Sequence, residues 1–415
     1  MTETVTVVGA GLVGICTALS LAERNFTVRI IDKDAPAQGA TYGNAGIISP
    51  WSVLPQAVPG IWKSIPGLML GRHQVLKARV NQFPKLIPWG ISFLRNTSPS
   101  KVERVSEAMS LLCNPSIELY RRHLKGTDHE DFLADSWYVH AFRSETKARR
   151  WDKTAIDYSM RRKFGAEIEF VADKELHEIE PALGPEFKAA VLIKNQARAR
   201  SPEKIALALL NKAQKLGVTF ERGEMQALYQ TGDGWVVQCK DRQFSSQKLV
   251  LATGAWSAKL LRPLGISLPL LAERGYHVDF KNPGVSIQNS VMDIDAKVVA
   301  SSMSGGLRLA GASEFCRIDA QPDANRQALM TRQAKAIAPE LNTSTVSFWH
   351  GHRPSFPDSL PMVGEFNSHP NLFASFGHSH YGLMMAPKSG EILADLLEGR
   401  THNMDVSAFR TNRFE

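Results

Sequence analysis

The hydrophobic pattern divides the chain into elements of two periods. The stretch "TVTVVGAGLVGICTALSLAERNFTVRIIDKD" opens with Val5, Val7 and Val8, a short β-branched run, and breaks at Gly9, Gly11 and Gly14. A helical pattern follows over about residues 13–23, and "TVRIID" reads as a second strand. After a long interruption the same character returns near residue 200. There "ALALLNKAQKLGVTFERGEMQAL" reads as helix and strand, "GWVVQCK" as a hairpin strand, and "LVLATGAWSAKLL" as a buried parallel strand followed by a helix. Near the end, "NLFASFGHSHYGLMMAPKSGEILADLLEG" adds a strand, a Gly/His loop and an amphipathic helix expected to begin near Pro387. Between these pieces lie "SWYVHAF", "KAAVLIK", "RGYHVDF" and "GGLRLAG", short alternating runs of sheet character.

Glycines at the first turn serve a dinucleotide: one for the tight turn, one for close approach of backbone to a pyrophosphate, one for packing helix on strand. The helix N-terminus offers N–H groups and partial positive charge, and Asp32 ends the second strand where a carboxylate can bond ribose hydroxyls. A nucleotide domain assembled from three separated pieces is typical of FAD enzymes, whereas NAD dehydrogenases usually keep it contiguous. The expected fold is therefore α/β, a Rossmann-like FAD-binding domain built from separated segments with a mixed-sheet α+β domain capping the substrate. The FAD-binding parts are placed at 1–97, 196–268 and 348–415, and the capping parts at 98–195 and 269–347.

At 415 residues the chain exceeds one ordinary core, and 43% hydrophobic with 22% charged residues describes an ordered globular protein. Its four cysteines, Cys16, Cys113, Cys239 and Cys316, form no CxxC pair, which argues against zinc, Fe–S and disulfide scaffolds and fits a reducing, cytoplasmic compartment. No cleavable leader and no long apolar run are evident. The net charge of +8 is uneven, because between Asp34 and Glu103 there are seven cations and no acid. Within that interval, residues 53–97 mix Lys and Arg with Trp62, Trp89 and many aliphatics, punctuated by proline. Two readings stand: short amphipathic turns lying on the inner face of a membrane, or a basic face wrapping a second domain. Nucleic-acid binding is not expected, since no recognised motif accompanies the charge.

"FWHGHRPSFPDSLPMVG" (348–364) holds Arg353 in a run whose prolines forbid a helix interior and central-strand pairing, so an irregular loop is expected. By itself Arg353 is either a surface cation paired with Asp358 or a functional fork. His350, His352, His378 and His380 crowd two loops expected to converge, but without carboxylate or Cys partners they suggest hydrogen bonding rather than metal ligation.

In order along the chain, VVGAGLVG, "TYGNAGIISP", "LVLATGAWSAKLLRPLGISLPL", "ERGYHV", "HRPSFPDSLPMVG" and "GHSHYGLMMAP" resemble the D-amino-acid oxidase and glycine oxidase superfamily, most closely bacterial D-amino-acid dehydrogenases of the small-subunit type. The resemblance spans essentially the whole chain. It implies FAD held by Gly9, Gly11, Val13, Gly14, Asp32 and Lys33, by the loop Thr41, Asn44, Ala45 and Gly46, by Met225, Thr253 and Gly254, and by Gly382, Leu383 and Met384 at the flavin's pyrimidine edge. Many relatives carry a small hydroxyl residue where this chain has Met384. Arg353 would clamp the substrate carboxylate, Tyr276 would be a second ligand or lid, and His350, His378 and His380 would stand at the flavin. The implied activity is oxidative deamination of D-amino acids to 2-oxo acids and ammonia, with electrons passed to a quinone or other non-oxygen acceptor. Alternatives are oxidation of glycine, sarcosine or D-proline-type amines, a subunit of a larger flavoprotein complex, and a non-enzymatic FAD-stabilised scaffold.

Overall fold

The computed structural model describes residues 3–232, 234–401 and 403–415. The strand Thr4–Val8 lies at the centre of a six-stranded sheet, in parallel register with Thr27–Asp32 on one side and Lys248–Leu251 on the other. Thr219–Arg222 and His369–Phe376 extend the parallel set outward, and Met362–Phe366 closes one edge antiparallel. Val5, Val7, Ile30, Ile31 and Val250 are fully buried, as befits strands covered on both faces. One face packs the helices Leu12–Ala22, Pro202–Lys215 and Gly382–Glu398 into a single apolar core. The other is covered by a three-stranded antiparallel sheet, Met225–Thr231, Gly234–Cys239 and Gln243–Ser246, through Trp235 and Val237.

The second layer is a ten-stranded mixed sheet. Its edge strand Val346–Ser355 pairs with Leu271–Phe280, which pairs with Gly306–Phe315, and Val298–Met303 and Ser290–Asp293 follow. Leu133–Phe142, Ala189–Ala199 and the short Ile47–Ile48 complete the path. Two strands run across the expected segment limits at 195 and 348, and Ile47–Ile48 and Leu76–Ala78 come from the first segment yet pair in this sheet. The helices Pro99–Cys113 and Ser116–Leu124, expected to cap the substrate, instead bury Met109, Leu112, Tyr120 and Leu124 in the nucleotide-side core.

Three proline-based expectations change. Arg353 is in a regular strand, because Val346–Ser355 is an edge strand and the N–H that Pro354 lacks is not needed by a neighbour. The last helix begins at Gly382, five residues before the expected start, with Pro387 inside it. Pro387 cannot donate to the carbonyl of Leu383, and the buried Tyr120 hydroxyl donates to that carbonyl at 2.6 Å in its place. Finally, the basic apolar segment folds as helices rather than turns: Ile61–Leu70, which buries no residue, and Phe83–Arg95, which buries only Trp89. Trp89 is an anchor, not a membrane-facing residue. Its indole N–H donates to the Ser355 carbonyl at 3.2 Å and its ring stacks on Phe93.

Candidate active site

A cavity of about 730 Å³ runs from the first glycine turn to the inner face of the ten-stranded sheet. At its nucleotide end the helix Leu12–Ala22 starts with no acidic residue in its first turn and no side-chain cap at Gly11. Its first N–H groups are thus left for a ligand, apart from Leu12 N–H, which donates to Thr41 Oγ1 at 2.9 Å. Gly9 has φ of 114°, and a Cβ on Gly14 would overlap the Gly9 carbonyl, so only glycine lets this turn and helix approach each other. Asp32 Oδ2 accepts from Ala10 N–H at 2.6 Å, and burial raises its carboxyl pKa against those hydrogen bonds. This uncapped cradle, with an acid at the next strand end, fits the ADP half of FAD.

Of the expected cofactor residues, Gly9, Gly11, Val13, Asp32, Lys33, Thr41, Asn44, Ala45, Met225, Thr253, Gly254, Gly382, Leu383 and Met384 line this cavity, whereas Gly14 and Gly46 stand behind its wall. Lys33 lies over the Trp256 ring at 4.9 Å, and Thr253 Oγ1 meets Ser257 Oγ at 2.8 Å. The loop 41–46 is clamped by a residue the sequence pattern did not single out. Arg308, nearly buried, donates from Nη1 to the carbonyls of Tyr42 and Asn44 at 2.6 and 2.8 Å, and bonds Asp279 with two nitrogens at 2.7 and 2.9 Å. Burial would raise the Asp279 carboxyl, but Arg308 and His277 hold it well below the usual range.

Side chains alternate along the paired strands Leu271–Phe280 and Val346–Ser355, where Glu273 sits opposite Arg353 and Tyr276 opposite His350. Glu273, Gly275 and Arg353 share the cavity face. Arg353 lies across Gly275, with Nη1 donating to Glu273 Oε1 and to the Ala312 carbonyl, both at 3.2 Å. Its Nε and Nη2 have no partner among the described residues. Glu273 is almost fully buried and also accepts from Ser313 and, at 3.0 Å, from Ser355. Burial alone would raise its carboxyl, but the His380 ring, the Arg353 guanidinium and the Ser313 hydroxyl outweigh it and hold the group ionised far below the usual carboxylate range. His380 Nε2 stands 3.1 Å from Glu273 Oε1, and the Gln56 amide meets Nδ1. Both His380 nitrogens are thus engaged by protein.

Three expected site residues do not face the cavity as reactive groups. Tyr276 touches the wall, but its ring lies on the far side of the sheet, stacked on Phe348, with its hydroxyl donated to Glu314. Burial first, then Glu314, pushes that hydroxyl up to about 12, and the side chain is packed in the core behind the sheet. His350 shares that far face, 6.3 Å from Tyr276, and does not line the cavity. His378 lines the cavity wall but is buried, with Nε2 and Ser389 Oγ 3.0 Å apart, and burial pulls its pKa down to about 3. Asp358 pairs with Arg413 at 2.8 Å rather than with Arg353. Glu273, Gln56 and Arg308 were missed; an acid inside the apolar run "LPLLAERGYHVDF" was the available signal for the first. Among the described residues no group of three or more His, Cys, Asp or Glu side chains could hold a metal ion, and the four cysteines are buried and free.

Residues 4–396 match the family model described as DAO, FAD dependent oxidoreductase. The chain is 32% identical to a D-amino-acid oxidase of Bradyrhizobium diazoefficiens over 99% of its length and 98% of that protein. It is 28% identical to a D-amino acid dehydrogenase of the same organism, over 99% and 98% of the two chains. Among solved structures, glycine oxidase from Geobacillus kaustophilus superposes with a TM-score of 0.75 at 23% identity, over 99% of both chains. The cradle, the separated nucleotide segments and a family match of nearly the full chain agree: this protein belongs to the DAO family of FAD-dependent oxidoreductases, and its cofactor is FAD.

Proposed function

We infer that the protein oxidatively deaminates D-amino acids to 2-oxo acids and ammonia. The observation that carries this reading is the Arg353 guanidinium, held from behind by Glu273 and Ala312 with its remaining edge free at the cavity wall. A planar fork in that state takes both oxygens of an α-carboxylate and fixes the plane of the amino acid. Bound FAD supplies a two-electron acceptor for the Cα–H bond. The chain's own work is orientation: Glu273 fixes Arg353 and His380, Gly275 seats the guanidinium, and both Gly275 and Ala312 line the cavity beside the fork. The imino acid released takes up water to give the 2-oxo acid and ammonia. The D-amino-acid oxidase and dehydrogenase relatives support the substrate class.

A quinone as electron acceptor is supported by the outer surface of residues 53–97, where Trp62, Leu70 and Val80 are 58%, 87% and 79% exposed among cations. Among the described residues no helix is long and apolar enough to cross a membrane, so contact there would be peripheral. Oxygen is the second reading, favoured by the oxidase relative at 32% identity. Anaerobic bleaching of the bound flavin by a panel of D- and L-amino acids tests the substrate reading. Reduction by D-amino acids supports it, and a flavin untouched by every one of them overturns it. Re-oxidation of the bleached enzyme by a soluble quinone faster than by dissolved oxygen supports the acceptor, and the reverse order overturns it.

A further inference from the structure

Beside the main cavity lies a second chamber of about 280 Å³. Tyr138, Arg161, Met292, Lys297 and Tyr381 line both spaces, so the two adjoin. The charges in this chamber do not balance. Arg161 is satisfied, bonding Asp157 at 2.7 Å and the Trp51 carbonyl at 2.8 Å. The Lys297 ammonium has no hydrogen bond or ion pair among the described residues; the Trp151 ring lies 5.5 Å away, and Asp157, Asp295 and Asp293 act on it only from beyond ion-pair distance. Burial pulls its pKa down against those carboxylates, although the side chain is half-buried rather than sealed off. Its backbone is held at φ of 53°, a left-handed conformation that a lysine rarely adopts. A second group in the same chamber is also unpaired: His140 meets the Tyr158 hydroxyl at 2.9 Å through Nδ1, while its buried Nε2 has no partner.

Lys297 adjoins Val298, which is opposite Gly311, which is opposite Tyr276 on the strand beside Arg353. Three strand steps and about two residues of register separate the backbones of the two cations, and the Arg353 guanidinium reaches back across Gly275 to the Ala312 carbonyl, one strand from Lys297. The two cations stand at different strands of the cavity wall, and each has unsatisfied donors. We propose that the chamber binds the distal carboxylate of a dicarboxylic D-amino acid, with Lys297 as its counter-ion and His140 Nε2 as a further donor, while Arg353 holds the α-carboxylate. This names the substrate class of the site and rests on the amino-acid reading above. A neutral side chain would leave the half-buried ammonium and the buried His140 Nε2 without that partner, so the discrimination is built from the groups that go unsatisfied as well as from those that are met.

The test uses the FAD-bound enzyme and its Lys297→Met variant, which keeps the bulk of the stem without the charge. D-glutamate and D-aspartate are compared with D-alanine and D-leucine by kcat/KM, and glutarate, which has no amine to oxidise, is titrated by its perturbation of the flavin spectrum. The wild type is expected to favour the diacids. Lys297→Met is expected to lose at least about tenfold in kcat/KM for them and to weaken glutarate by a similar factor, with neutral substrates changed less than about threefold. Wild-type preference for neutral substrates overturns the chamber assignment alone, as does an equal loss on every substrate or unchanged glutarate affinity in the variant. No flavin reduction by any D-amino acid overturns the amino-acid reading itself, with glutarate binding still reporting on Lys297.

Discussion

Arg353 rests on Gly275. A Cβ at position 275 would overlap the guanidinium, so the missing side chain of one strand makes the seat for the charged side chain of the next. Gly275→Ala should therefore leave FAD bound but displace the fork, with a loss on the order of 100-fold in kcat/KM for amino acids, as small misplacements of orienting groups bring. Steady-state kinetics beside the flavin spectrum check this; full activity would mean that Arg353 has room elsewhere.

Arg353→Lys keeps the charge and removes the fork. A loss of at least about tenfold in kcat/KM, or about 1.4 kcal/mol, is expected with FAD content unchanged. Wild-type kinetics would return Arg353 to an ordinary ion pair with Glu273.

Stability should fall between pH 7 and pH 5. His378, His140 and His123 are buried and held down by burial to about 3, about 3 and about 4. An unfolded histidine takes a proton near pH 6.5, so the unfolded chain binds more protons than the fold throughout this window. The stability they contribute is complete above about 6.5 and is lost as pH falls toward the folded values, at about 1.4 kcal/mol per pH unit for each group. Urea unfolding at pH 7 and pH 5 measures the slope, and His378→Asn should remove one proton from it. A level or rising stability toward pH 5 would contradict the burial of these rings.

Tyr120→Phe strands the Leu383 carbonyl, which Pro387 cannot serve. The expected cost is about 1–3 kcal/mol of stability. Because Leu383 belongs to the helix turn lining the flavin end of the cavity, FAD should also dissociate more readily. Denaturant unfolding and flavin retention on gel filtration read the two effects, and neither changing would show that the carbonyl finds another donor.

Peripheral membrane contact predicts sedimentation with anionic vesicles at low salt, weakened by high salt and by the pair Trp62→Ser and Ile87→Ser, at positions 58% and 59% exposed. Trp89→Ser is not equivalent, since Trp89 is tied to Ser355. Equal, negligible binding to anionic and neutral vesicles would remove the support for a membrane quinone.

The nucleotide cradle was legible in the sequence because its cause is local: three glycines, a helix start and Asp32 lie within one βαβ unit. Tyr276 and His350 were misplaced because facing alternates at every strand residue, and no nearby signal fixes which parity meets the cavity. Arg353 looked like a loop residue because its run is proline-rich, and edge position is a property of the whole sheet. The helix start at Gly382 was hidden for a similar reason, since its compensating hydroxyl lies more than 200 residues away at Tyr120.

The strand Leu271–Phe280 is finally a ribbon with two trades. Glu273, Gly275, His277 and Asp279 serve the cavity and the loop beside it, while Tyr276, Val278 and Phe280 fill the core behind. Inheritance along this stretch should be written in alternating letters. Changes at the core-side positions should register chiefly in how much folded protein accumulates, whereas changes at the cavity-side positions should register in turnover as well, because Glu273 and Asp279 are also held in largely buried ion pairs.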